Sequence, residues 1–224
     1  MTVAACILAA SPETALRDVE GTPNVRRLVD VAWAGGAFPV VVVTADPDGA
    51  VAAALAGAEV ILGGPAPAAA GPAGQMARAI DLARDEVHAT AAALLWPARM
   101  GWLDAETVTS LIEAHGTDRG TLLRPAFRGM RGWPVLVPVG MLETLRGLSS
   151  DLAPTSIADA LADAGPSRTI ELGDPGVLLG LDTPRDDLPQ FDGPPEPAAN
   201  HRHEWGALVA AGPDEAPEPP PTRD

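Results

Sequence analysis

Lysine and tyrosine are both absent from the 224 residues, and all fifteen basic side chains are arginine. Chemistry that needs a lysine amine, Schiff-base formation above all, or a tyrosine hydroxyl is therefore closed to this chain. Cysteine occurs once, as Cys6, which excludes an internal disulfide and a metal site built on several thiolates. No stretch approaches the roughly 20 consecutive apolar residues that a membrane-spanning helix requires. The opening MTVAACILAA also lacks the basic flank of a secretory signal, so a cytoplasmic protein is the expectation. Positive charge is scarce as well: thirty acidic residues against fifteen basic ones give a formal net charge of -15. Such a field repels phosphate backbones and anionic membranes, so neither nucleic acid nor membrane is an expected partner.

Apolar residues make up 46% of the chain, enough to build a substantial core. Residues 1–192 are expected to form one domain, and residues 193–224 a disordered tail. The tail holds eight of the 24 prolines, six acids and a single short apolar cluster, which is too little apolar surface to offset the entropy of ordering it. Within it, His201 and His203 form one His-x-His, either an incidental pair or a metal ligand, beside a possible docking segment around Trp205.

Before the tail, short apolar runs alternate with amphipathic stretches, the pattern of a mostly parallel sheet with helices on both faces. Residues 3–8 read as a first buried strand, with Cys6 filling the core. Val25, Leu28, Val29, Ala32 and Trp33 recur at helical spacing, with Asn24 as the expected cap and Gly35-Gly36 as the stop. Residues 39–44 are apolar on both faces, as in a central parallel strand. Asp46 or Asp48 then caps a short alanine helix, residues 59–62 make a third strand, and residues 91–95 a fourth. Asp104 caps a helix whose inward face is Val108, Leu111 and Ile112, with His115 expected at the surface near the negative end of the helix dipole. A strand over 134–138, two short helices and a final pair of short strands complete the domain. In an open α/β sheet, ligands bind beyond the carboxyl ends of the strands, which points to residues 9–21, 44–49, 63–74 and 96–104.

Two common enzyme classes lack their signatures there. A dinucleotide-binding oxidoreductase needs a Gly-x-Gly-x-x-Gly turn after the first strand, yet Ala9 through Arg17 contains no glycine. A serine hydrolase needs Gly-x-Ser-x-Gly, and Ser11 has no flanking glycine.

A different set of fragments falls in a recognisable order. These are Leu8-Ala9-Ala10, Gly21-Thr22-Pro23, Leu94-Leu95-Trp96-Pro97-Ala98, Leu103-Asp104-Ala105-Glu106-Thr107-Val108 and Arg124-Pro125. Gly129-Met130-Arg131-Gly132-Trp133-Pro134, Asp174-Pro175-Gly176 and Leu181-Asp182-Thr183-Pro184-Arg185-Asp186 follow. Over residues 3–188 the chain resembles the MobA-like nucleotidyltransferases, the group of the molybdenum-cofactor guanylyl- and cytidylyltransferases. The resemblance implies a Rossmann-like three-layer sandwich of the nucleotide-diphospho-sugar transferase type. It also implies Mg²⁺-dependent transfer of a nucleoside monophosphate from an NTP to a phosphorylated acceptor such as molybdopterin, with nucleotide contacts at Ala9, Ala10, Ser11 and Arg17, acceptor contacts at Arg131 and Trp133, and Asp182 as either a metal ligand or a turn cap. Arg99, which stands where the family has a metal carboxylate, is with Arg17 a candidate metal-free clamp on the nucleotide phosphates.

Four elements depart from the family pattern. The triphosphate loop, usually Ala-Gly-x-Ser-x-Arg-Met-Gly followed by lysine, reads Ala10-Ser11-Pro12-Glu13-Thr14-Ala15-Leu16-Arg17-Asp18. Pro12 removes an N–H donor and Glu13 adds a negative charge where phosphates would lie. The Asp-Met-Pro that supplies a metal carboxylate reads Arg99-Met100-Gly101, and the second acidic motif reads Gly180-Leu181-Asp182. The serine-rich segment after the third strand is reduced to Gly71-Pro72-Ala73-Gly74-Gln75. The expectation is a family member with an impaired site that binds a nucleotide, a cofactor precursor or a protein partner, with an active transferase as the alternative. Trp96, Trp102 and Trp133 either line an acceptor pocket or close the rim of the sheet. Arg124, Arg128 and Arg131 form either a patch for a small anion or ion pairs with nearby acids.

Overall fold

The computed structural model describes residues 2–191; the expected tail, with His201, His203 and Trp205, lies outside the described residues. The chain begins with strand β1 (Thr2–Leu8), a short helix α1 (Pro12–Leu16) and a small ribbon of β2 (Asp18–Val19) and β3 (Thr22–Pro23). Helix α2 (Asn24–Ala34), β4 (Val40–Val43), α3 (Ala50–Ala54), β5 (Ile61–Gly63) and α4 (Gly71–Glu86) follow, then β6 (Thr90–Pro97) and α5 (Ala105–Thr117). The rest consists of β7 (Leu122–Phe127), β8 (Met130–Arg131), β9 (Val135–Pro138), α6 (Leu142–Arg146), α7 (Pro154–Ala164) and β10 (Ser167–Glu171).

The main sheet has the order β10-β7-β9-β6-β1-β4-β5, with β8 paired to β7. β1 is central: it runs parallel to β4 on one side and to β6 on the other, and β5 extends the sheet in parallel beyond β4. β9 reverses direction between β6 and β7, and β10 closes the far edge parallel to β7. Val3 through Ile7 and all of β4 are buried, as strands covered on both faces must be. One helical layer joins α2 and α5, and another joins α4, α6 and α7. Of the expected final pair of strands, only β10 forms among the described residues.

Local chemistry explains the helix boundaries. α2 buries Val25, Leu28, Val29 and Ala32 and stops at Gly35-Gly36, the second glycine taking a positive φ. Asn24 is not its cap: the side chain is fully buried and donates to the carbonyls of Thr14 at 3.2 Å and Ala98 at 2.8 Å. Asp46 holds the first turn of α3 by accepting from the N–H groups of Val51 and Ala52. Asp104 caps α5 through the Glu106 N–H at 3.0 Å. His115 also departs from expectation. It is 3% exposed, facing the core with Val108 and Leu111, because a position four residues after Leu111 shares its face. Cys6 is fully buried, and burial pushes its thiol well above the usual value, so it is an unreactive core residue. No helix among the described residues is long and apolar enough to cross a membrane.

Candidate functional site

A cavity of about 470 Å³ opens beyond the carboxyl ends of β1, β4, β5 and β6. Each segment that the sheet rule singled out contributes to its wall: Ala9 and Ala10 after β1, Ala45 after β4, Pro65 and Ala68 after β5, and Ala98 and Arg99 after β6. Gly71, Pro72, Gln75 and Met76 at the start of α4 line another side, and Pro154 at the start of α7 completes it. Gly71 has a φ of +60°, and a Cβ there would lie 1.8 Å from the Ser150 carbonyl oxygen. Only glycine lets α4 approach the turn before α7 so closely.

The segment expected to wrap a triphosphate is folded on itself. Pro12 and the residues after it form α1, with the Ser11 hydroxyl accepting from the Thr14 N–H at 3.4 Å as its cap. Proline suits the first helical turn, where its missing N–H costs nothing. Ser11 also holds the Glu13 carboxyl below the ordinary carboxylate value, fixing a negative charge in that turn. Arg17 turns away from the cavity. Its guanidinium donates to the Leu181 carbonyl at 2.6 Å and to Asp182 at 3.4 Å. Ala9, Ala10 and Arg99 therefore line the cavity, and Ser11 and Arg17 do not.

The donor set does not fit Mg²⁺, which requires hard oxygen ligands in near-octahedral geometry. Arg99 presents a guanidinium at the end of β6, and none of the ion pairs among the described residues involves it. Asp182 has a side chain 91% exposed and is paired with Arg17. Among the described residues no group of three or more histidines, cysteines or acids is placed to hold a metal ion.

The acceptor-side residues lie elsewhere. Trp133 is buried in the core and its backbone N–H donates to the Val177 carbonyl at 2.8 Å, while Arg131 is exposed on β8; neither lines the cavity. The three-arginine patch does not assemble. Arg124 is buried and paired with Asp159 of α7, and Arg128 lies over the Phe127 ring at 4.8 Å. Trp96 is fully buried, with its indole N–H on the Met100 carbonyl at 3.0 Å. Trp102 donates to the Thr183 carbonyl at 2.9 Å and sits near the guanidinium groups of Arg27 and Arg185. Trp96 and Trp133 are thus core residues, and Trp102 braces the loop around Thr183.

A family model for the MobA-like NTP transferase domain matches residues 12–165. The chain belongs to the MobA-like NTP transferase family. Among solved structures it is similar to Rv0371c of Mycobacterium tuberculosis H37Rv, in a complex with manganese, at 17% identity and a TM-score of 0.63, covering 77% of this chain and 89% of that one. It is similar to a nucleotidyl transferase from Methanothermobacter thermautotroptrophicus at 16% identity and a TM-score of 0.63, covering 81% and 92%. A CMP:2-keto-3-deoxy-manno-octonic acid synthetase complexed with CTP matches at 16% identity and a TM-score of 0.56, covering 82% and 94%. At these identities the likeness shows the fold, an α/β sandwich of the nucleotide-diphospho-sugar transferase type. A comparison with curated proteins by sequence returned no significant match.

Thr14 and Gln75 fall in segments named from the sequence, without a role of their own, and Pro154 lies outside all of them. Gln75 carried a signal, as a lone amide in a Gly/Pro/Ala stretch: it accepts from the Ala66 N–H at 2.8 Å and donates to the Ala66 carbonyl at 2.9 Å, pinning the loop after β5. Pro154 carried none, since its place in the wall depends on how α7 packs against α4.

Proposed function

We propose that this family member binds a nucleotide or a phosphorylated cofactor precursor, of which molybdopterin is the family example, and that Mg²⁺-dependent nucleotidyl transfer is impaired. The observation that carries this reading is the charge of the cavity: one arginine and no carboxylate among its lining residues. Nucleotidyl transfer requires an acceptor oxygen to attack the α-phosphorus while pyrophosphate departs, and the charge that develops must be met by Mg²⁺ and positioned donors. Here Arg99 occupies the edge at which a carboxylate would recruit the metal, and Arg17 is committed to Asp182. Losing a single electrostatic donor commonly slows such chemistry by about 10² to 10³.

Titration calorimetry with each of the four NTPs, with and without Mg²⁺, tests the reading when combined with an assay for pyrophosphate release. The expected outcome is binding that Mg²⁺ does not strengthen and no pyrophosphate above the protein-free rate. Binding tightened by Mg²⁺, together with pyrophosphate release, would establish an active transferase. Failure of every nucleotide to bind would overturn the nucleotide reading and leave a cofactor precursor or a protein as the partner.

A further inference from the structure

We infer that the cavity takes a small molecule with a single oxyanion head group on an apolar body, held by Arg99 without a divalent cation. The inference rests on the reading of this cavity as the binding site, and it names the ligand class.

The walls argue for the apolar body. Leu8, Val43, Met76 and several alanines supply carbon surface, and Pro65, Pro72, Pro97 and Pro154 have no N–H to offer a phosphate. The polar groups that remain are largely committed. Both ends of the Gln75 amide are bound to Ala66, the Thr14 hydroxyl lies 3.4 Å from the Ser11 hydroxyl, and the N–H groups of Ala9 and Ala98 donate to the Val43 and Leu8 carbonyls. A volume of about 470 Å³ lies in the range of small-molecule sites.

Arg99 argues for the single anionic head. Its backbone carbonyl accepts from the Leu181 N–H at 2.8 Å, with Gly180 packed so close that a Cβ there would come within 2.7 Å of that oxygen. The side chain is exposed at the cavity and takes part in none of the ion pairs among the described residues. A guanidinium presents a planar fork of N–H donors that matches one carboxylate, sulfonate or phosphate monoester bidentately. A triphosphate brings several negative charges. This wall answers one of them and offers the others no partner, so the added phosphates bring no gain in affinity over a monophosphate.

The test uses the full chain and three probes: the aromatic sulfonate 8-anilinonaphthalene-1-sulfonate followed by fluorescence, and AMP and ATP followed by calorimetry, in EDTA and again with Mg²⁺. One molecule of the sulfonate is expected to bind per chain, AMP to bind at least as tightly as ATP, and Mg²⁺ to change neither. Arg99→Gln is expected to weaken sulfonate and AMP binding about tenfold, the scale of a lost charge-assisted pair, with an unchanged circular dichroism spectrum. Affinity rising from AMP to ATP and rising again with Mg²⁺ would overturn the inference while leaving the nucleotide reading standing. Arg99-dependent binding of the sulfonate with no binding of either nucleotide would overturn the nucleotide reading and support the inference. Sulfonate and AMP binding indifferent to Arg99→Gln, or absent altogether, would overturn the inference.

Discussion

The turn after β6 leads to two regions that use polar groups in opposite ways. At the start of α5 the Asp174 carboxylate, 2% exposed, accepts from the Asp104 N–H at 3.0 Å, the Thr107 hydroxyl at 2.7 Å and the Gly176 N–H at 2.7 Å. Asp104 in turn caps the helix. Both carboxylates in that corner accept hydrogen bonds from neighbours in the chain. In the cavity wall the balance is reversed: carbon surface surrounds one guanidinium that no ion pair among the described residues engages. The difference separates two kinds of family motif. Those built around Asp104 and Asp174 hold the sandwich together, and they are intact. Those that would meet a triphosphate and its metal are the ones that differ, at Ala15, Arg99 and Gly180. A scaffold motif is kept by packing, which acts in the absence of any substrate.

The sharpest way to break this contrast is to remove the carboxylate from the filled corner. Asp174→Ala should strand three donors in a buried site and destabilise the protein by about 3 kcal/mol in urea unfolding, whereas Asp174→Asn keeps an acceptor and should cost less. Burial raises the Asp174 carboxyl above its ordinary value, with the hydrogen bonds from Asp104, Thr107 and Gly176 opposing that shift. A raised carboxyl contributes stability below its unfolded value, near 3.9, and loses that contribution as pH rises through the folded value. The Asn variant should therefore be relatively less damaging at pH 7 than at pH 4. An Ala variant as stable as the parent would mean that the corner is not structural.

His115 is the next lever, because it places a titratable group in the core without a hydrogen-bond partner among the described residues. Both ring nitrogens are buried and make no hydrogen bond among the described residues. Burial lowers its basicity first, Arg119 lowers it further, and Asp118 opposes them. The sign follows: a depressed histidine contributes fully above its unfolded value, near 6.5, and that contribution is lost as pH falls through the folded value. Thermal melts at pH 7.5 and pH 5.5 should show the parent losing stability on acidification, with His115→Leu flatter over the same interval. Equal slopes for the two proteins would show that the imidazole is solvated or paired.

The layers of the fold were readable from periodicity, and the position of the cavity from the rule for carboxyl ends of strands, since both depend on local spacing and sheet direction. What the sequence concealed was which partner each polar residue would take. Asn24 has the chemistry of a cap, yet tertiary packing delivers it to the Thr14 and Ala98 carbonyls, contacts across 10 and 74 residues. Arg17 reads as a phosphate ligand in a loop, but Pro12 and Ser11 turn that loop into α1 and bring Arg17 to a carbonyl 164 residues away. His115 reads as a surface residue by type and as a core residue by spacing, and spacing decided.

The smallest expected effect, on the clasp between the segment after α1 and the segment after residue 180, tests the metal side of the contrast. Arg17 with Asp182, and Glu20 with Arg185, tie the segment after α1 to the segment after residue 180 through side chains that are all substantially exposed. Exposed pairs of this kind gain little and are screened by salt. Asp182→Asn should therefore barely move the thermal midpoint at physiological ionic strength, with a slightly larger effect in low salt. Its value lies in the comparison with millimolar Mg²⁺. If Asp182 serves the clasp, parent and variant should melt alike with Mg²⁺ and with EDTA. A stabilisation by Mg²⁺ in the parent that disappears in Asp182→Asn would make the carboxylate a metal ligand. Arg17 would then act as a latch that yields to the ion.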